Sequence, residues 1–253
     1  MAKDKIGITE AGDAGLDLSW ENKLQNVNGA VLITKNVTPG FIDAVIRNKD
    51  KLIVHATITG YGGTVVEPNV PSPDEAFVYL SDLVEKGFPK HKIVIRVDPI
   101  VPTLKGIKKA YVIIQKGIGS GYLRFRVSII DMYPYIRTRF YENNLPLPYG
   151  EKGFSPSSFQ SEEVDKMLKS LIEYGKQMCH NIQIETCAEP QLKNALHQGC
   201  ISSQDLELLG LETDLDNDNV GFQRKNCLCY SGKTELLTNK KRCPHQCLYC
   251  YWK

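Results

Sequence analysis

The stretch Leu52-Ile-Val-His-Ala-Thr-Ile-Thr59, then Ser72-Pro-Asp-Glu75 leading to Gly87, then Lys92-Ile-Val-Ile-Arg-Val-Asp98 decides the fold class. Its two outer runs are short, β-branched and nearly continuous in apolar character. Strands buried on both faces read that way, because each face needs its own apolar side chains. Between them, Ser72 and Glu75 form a capping box with proline at the first helical position, and Gly87 is a helix stop. A strand, a helix and a second strand make a right-handed βαβ unit with parallel strands.

The same rhythm extends outward. Lys5–Thr9, Ala30–Lys35, Leu123–Asp131 and Asn181–Thr186 read as further strands, about six in all. Thr38-Pro39 opens one helix, and Ser161-Glu-Glu-Val164 opens another whose Val164, Met167, Leu168, Leu171 and Ile172 recur at helical spacing. The expectation is an α/β fold, a partial, open TIM-type barrel of about six βα units, with a doubly wound sheet as the second choice. Residues 1–189 would form the partial barrel, and 190–253 a cysteine-rich, cluster-binding extension. Met132–Gln160, with four prolines and many aromatics, reads as a long lid or substrate loop. Gln191–His197 and Ser203–Leu209 read as short helices.

Composition bounds the function. The 253 residues are 42% hydrophobic, enough for a sizeable core. No run of about eighteen apolar residues predicts a membrane span. No signal peptide is evident at Met1–Ile6, so a reduced, cytoplasmic setting is expected. There, eight cysteines point to metal rather than disulfides. A net charge of +2 carries no strong nucleic-acid footprint.

Cys243-Pro-His-Gln-Cys247-Leu-Tyr-Cys250 spaces three thiols as Cys-x-x-x-Cys-x-x-Cys. Three thiolates hold three irons of a 4Fe-4S cube and leave the fourth open, whereas four thiolates close a site. Spacing alone leaves open a zinc knuckle, or a structural cluster that borrows a fourth ligand. Cys187, Cys200, Cys227 and Cys229 suit a second four-thiolate site, an auxiliary 4Fe-4S cluster or zinc, with buried thiols as the alternative. Cys179 falls in a helical pattern and reads as core. His245 is expected to line the triplet loop without ligating.

The triplet, with an aromatic residue before its last cysteine, resembles that of the radical S-adenosylmethionine (SAM) enzymes. Its C-terminal placement resembles an uncharacterised bacterial family, a domain of unknown function related to the spore photoproduct lyase branch. The likeness rests on Ile33-Thr-Lys-Asn36, Thr57-Ile-Thr-Gly-Tyr-Gly62, Glu67-Pro-Asn-Val-Pro71, Arg96-Val-Asp-Pro99, Ser128-Ile-Ile-Asp131, Glu185-Thr-Cys-Ala-Glu189, Gly199-Cys-Ile201, Arg224-Lys-Asn226, Cys227-x-Cys229 and the triplet. The resemblance implies reductive cleavage of SAM to a 5′-deoxyadenosyl radical, which takes hydrogen from a substrate at the strand ends. It implies a reducing electron donor such as flavodoxin or ferredoxin, and it makes a nucleic-acid lesion one candidate substrate. A non-catalytic iron–sulfur or zinc protein is the competing reading.

Two departures stand out. That family usually opens with an arginine-rich strand end, where this chain has Gly7-Ile-Thr-Glu-Ala-Gly-Asp13. Thr34-Lys35-Asn36 stands where many such enzymes carry a glycine-rich methionine motif. Polar residues at the predicted strand ends are the cofactor-binding candidates: Lys35, Asn36, Thr59, Arg96, Asp98, Ser128, Asp131 and Glu185. Charge inside Val- and Ile-rich strands needs a partner or a role. A structural ion network of Arg96, Asp98 and Glu185 is the alternative.

Overall fold

The computed structural model describes residues 4–211, 227–228, 230–238 and 243–251. Eight strands form one sheet: β1 (Ile6–Ile8), β2 (Gly29–Thr34), β3 (Leu52–Thr57), β4 (Ile93–Ile100), β5 (Arg124–Ile129), β6 (Gln183–Thr186), β7 (Leu196–His197) and β8 (Lys233–Glu235). The order is β7-β6-β5-β4-β3-β2-β1-β8, and all pairings are parallel. From β1 to β7 each strand lies beside its predecessor. A doubly wound sheet divides its strands about a central switch point, whereas here only β8 crosses to the other side of β1. Among the described residues β7 and β8 are unjoined edges, so the sheet is open.

Six α-helices are described: α1 (Pro39–Arg47), α2 (Pro73–Glu85), α3 (Leu104–Gly119), α4 (Pro134–Glu142), α5 (Ser158–Met178) and α6 (Ser203–Leu208). None is long and apolar enough to cross a membrane. Thr38 caps α1, Ser72 and Glu75 form the capping box of α2, and Gly87 adopts φ 99° just beyond it. A left-handed residue there suits glycine, which carries no Cβ to clash.

Several local expectations are corrected. The strand count is eight, not six, because β7 and β8 are too short to show a period. Residues 132–160 contain α4, whose Pro134 occupies the first turn, where a missing N–H costs nothing. A capping box of Ser157 and Gln160 starts α5 earlier than Ser161. Cys179 caps the C-terminus of α5 in extended backbone, half-buried rather than core. Gln191–His197 is a turn running into β7, because the edge of β6 offers unpaired backbone groups. Within 190–253, β8 pairs with β1 and extends the sheet.

Successive side chains alternate between sheet faces. Leu32, Val54, Ile95, Val97, Phe125 and Val127 pack on Phe41, Leu80, Ile114, Leu168 and Leu171 of the helices. Ile6, Ile8, Val31, Ile53 and Val94 face the other way, onto Ile201, Leu206 and Tyr230. Further along, that inner face turns polar: His55, Arg124, Arg126 and Glu185 are all buried. Arg124 donates to Glu185 at 3.2 Å and Asp205 at 2.9 Å, and Arg126 pairs with the second Glu185 oxygen and with the Gly199 carbonyl.

Burial alone would raise the Glu185 carboxyl, but the charges of Arg126 and Arg124 hold it below its ordinary 4.5. A depressed folded-state pKa stabilises above the unfolded value and is lost as pH falls through the folded one. Replacing Glu185 with Gln leaves two buried guanidinium groups without their shared anion, which should cost about 3–5 kcal/mol near neutral pH. Urea denaturation measures this. The gap between wild type and Glu185→Gln should hold above pH 4.5 and narrow on acidification. A pH-independent gap would disprove the charge assignment.

Candidate metal centre at the strand ends

The cysteine-bearing residues 243–251 lie against the segments that follow β1, β2 and β3. Leu248 N–H donates to the Val66 carbonyl at 2.9 Å, and Asn69 Nδ2 donates to the Pro244 carbonyl at 2.7 Å. From α4, Arg139 Nη1 reaches the carbonyls of Leu248 at 3.2 Å and Cys250 at 2.9 Å. Thus the backbone of residues 243–251 is tied both to the segment after β3 and to α4.

Asp13 is the first anchor. One carboxylate oxygen accepts from Thr34 Oγ1 at 2.6 Å and Gly15 N–H at 2.8 Å. The other accepts from Lys35 N–H at 2.7 Å and faces His245 Nε2 at 2.8 Å. His245 Nδ1 stands 3.0 Å from the Asn69 carbonyl. Both ring partners are acceptors, so both nitrogens carry protons and the ring is an imidazolium. Burial pulls His245 down, but the bond and charge of Asp13 lift it above its ordinary 6.5. Gly15 is required here: a Cβ would fall 1.7 Å from the Asn36 carbonyl oxygen.

Glu67 is the second anchor. It accepts from Lys35 Nζ at 2.8 Å and Thr59 Oγ1 at 2.7 Å, and from the Tyr249 hydroxyl. Lys35 Nζ also lies 2.7 Å from that hydroxyl oxygen. Burial opposes charge on both Lys35 and Glu67. Their mutual attraction wins, raising Lys35 above 10.5 and lowering Glu67 below 4.5.

The three thiols sense one another. Burial pushes Cys247 up to about 12; Lys35 pulls it down, while Glu67, Cys250 and Cys243 push further up. Burial likewise raises Cys243, with Cys250 adding to it. As placed, no three His, Cys, Asp or Glu side chains among the described residues are gathered to hold a metal ion. A cavity of about 400 Å³, lined by Gly12, Asp13, Asp17, Cys243 and Pro244 among others, opens beside the triplet.

The strand-end candidates divide. Lys35 and Thr59 join the Glu67 anchor. Arg96 pairs with Asp98, which also accepts from Ser128, at the ends of β4 and β5. Asn36 contributes backbone groups to the Thr34 hydroxyl. Asp131 is half-buried beyond β5 and, after burial itself, helps raise Tyr149. Glu185 lies deeper, in the arginine network, which is the structural alternative for that residue.

In the second cysteine set, Cys187 and Cys227 sulfurs are 3.7 Å apart, with Cys200 packed beside them. Contact with Cys187 and then burial raise Cys200 well above 9.0. Cys227 is disulfide-bonded. Cys229 and Arg224–Asn226 lie outside the described residues.

Sequence reading missed Asp13, Tyr249, Arg124 and Arg126, placed Arg139 only in the substrate loop 132–160, and kept His245 only as a loop lining. The signal for Arg124 and Arg126 was present: two charges two residues apart in a strand share one face. Asp13 carried little, because its partners other than Gly15 are distant in sequence.

Comparison with known proteins yields one family and no activity. No curated protein matches the chain. Among solved structures, the mannohexaose complex of Thermomonospora fusca β-mannanase covers 82% of this chain and 76% of its own, at 12% identity and a TM-score of 0.33. The same organism's β-mannanase covers equal shares at 11% identity and a TM-score of 0.34. At such scores neither fold nor activity transfers. The family model described as "Domain of unknown function (DUF1848)" matches residues 18–252, so this chain belongs to the DUF1848 family.

Proposed function

We propose that this chain is a radical SAM enzyme built on a partial TIM-type barrel. The observation that carries the reading is the docking of the segment bearing Cys243, Cys247 and Cys250 beside the polar segments that follow β1, β2 and β3. The donor set fits a cationic thiolate centre. Burial and neighbouring charge hold protons on Cys243 and Cys247, a bound cation displaces such protons, and Lys35 pulls Cys247 toward thiolate. A 4Fe-4S cluster with one open iron supplies, when bound, a site for SAM and the electron for its reductive cleavage.

The chain's own residues orient and exclude water. Lys35 is committed to Glu67 and Tyr249, so its part is to hold the triplet loop. Arg96, Asp98 and Ser128 form a hydrogen-bonded group at the strand ends, partly open to solvent, and suit SAM or substrate. Asn36 follows β2 and Asp131 follows β5. Cys187, Cys200 and Cys227, with Cys229, are proposed as a second centre, auxiliary 4Fe-4S or zinc. Cys227 becomes a ligand only once its disulfide is reduced. The electron donor would be a flavodoxin or ferredoxin and the setting cytoplasmic.

One observation favours a planar substrate such as a nucleobase. Tyr133 stacks on Tyr135 at 5.7 Å and meets Phe154 and Tyr251 edge-on at 4.7 and 5.2 Å, beside Cys250. Aromatic faces of this kind stack bases.

Anaerobic reconstitution, reduction and incubation with SAM should yield 5′-deoxyadenosine. Changing any one of Cys243, Cys247 or Cys250 to Ala should abolish it. Absence of product from fully loaded protein would end the reading. Metal analysis should give about eight irons for two cubes, or about four irons and one zinc, and Cys200→Ala should remove only the second centre. Single-stranded oligonucleotide binding that weakens steeply with salt supports the nucleic-acid substrate, and salt-independent or absent binding counts against it.

A further inference from the structure

Small metal-binding segments usually order only when metal arrives, because the unliganded thiols have little else to hold them. The triplet loop is built differently. Its spacing reads Cys243-x-His245-x-Cys247-x-Tyr249-Cys250, so each gap between cysteines carries one buried polar residue. Each of those residues meets a carboxylate fixed by the sheet. Asp13 is 7% exposed and spends three bonds on Thr34, Gly15 and Lys35, all from the β1 and β2 segments. Its remaining bond goes to His245. Glu67 is 1% exposed and is held by Thr59 and Lys35. Its remaining bond goes to Tyr249.

We infer that Asp13 and Glu67 are positioning residues that seat the cysteine loop before any metal is bound, one for each gap in the triplet. Their relevance to catalysis rests on the proposed function, but the seating itself does not. Each carboxylate is oriented by its sheet-side donors whether or not the loop is present. The loop then gains one charge-assisted bond at His245 and another at Tyr249. Because the two anchors straddle Cys247, that thiol is the most protected of the three, at 4% exposed. A loop seated this way is already held to the sheet and spares metal binding part of the entropy of ordering it.

The test uses full-length, reduced, metal-free protein with no SAM, so a failed radical SAM reading does not affect it. Alkylation of each cysteine by iodoacetamide is followed by peptide mass spectrometry in wild type, Asp13→Asn, Glu67→Gln, His245→Gln and Tyr249→Phe. The last two alter only the loop side and leave the sheet's own bonds intact, so they decide the matter if a carboxylate variant fails to fold. Cys247 should react at least about tenfold faster in each variant, while Cys179, remote and half-exposed, keeps its rate. The double variant Asp13→Asn/His245→Gln should be no faster than either single one, as expected of one shared bond. Iron uptake, read from thiolate-to-iron absorption, should weaken at least about tenfold in the singles. Unchanged Cys247 reactivity, or acceleration of Cys179 in parallel with Cys247, would overturn the inference.

Discussion

The chain returns to its own first strand, and the rest of the structure depends on that return. β8 lies parallel to β1, with Ile6 opposite Lys233 and Ile8 opposite Glu235. The Glu235 carboxylate then accepts from the N–H groups of Glu10, Ala11 and Leu237, locking the exit of β1 to the exit of β8. Leu236 and Leu237 enter the main core. This junction delivers the cysteine-bearing segment to the end of the sheet where Asp13, Lys35 and Glu67 wait.

The inner face of the sheet has an unusual division of labour. Toward β1 and β2 it is apolar and covered by α6 and Tyr230, as a sheet face must be covered to exclude water. Toward β4, β5 and β6 it carries Arg96, Arg124, Arg126 and Glu185, with His55 on β3 beside them. Both His55 nitrogens and Arg96 Nη1, Arg124 Nε and Nη1 and Arg126 Nε have no hydrogen-bond partner among the described residues. Burial first, then the charges of Arg126, Arg96 and Arg124, keep His55 neutral. Interior donors on this scale are costly when unmet, so the face is built for polar neighbours rather than for packing alone.

Much of the architecture was legible in sequence because its signals are local. Leu52–Thr57 and Ile93–Ile100 announce themselves through β-branched runs, and Ser72 with Glu75 through a cap that needs only three residues. What escaped was either too short for a period or dependent on context. β7 has two residues and β8 three, and each exists because an edge strand offers it backbone partners. Pro134 looks like a breaker in a proline-rich run but serves as a helix start once Ile136 and Phe140 find an apolar surface. Among the site residues, Lys35, Thr59, Arg96, Asp98 and Ser128 stood out as polar groups in apolar strands. Glu185 stood out equally, yet it serves the interior network.

By itself the sequence determined the alternating strands and helices, and it determined that three thiols sit close along the chain at a spacing suited to one metal centre. Periodicity and spacing act over a few residues, so no tertiary information is needed to read them. Only the tertiary structure decided what stands between those thiols. His245 meets Asp13 across 232 residues and Tyr249 meets Glu67 across 182. Contacts at such separation leave no local pattern, because they arise only when β8 pairs with β1 and brings distant parts of the chain together.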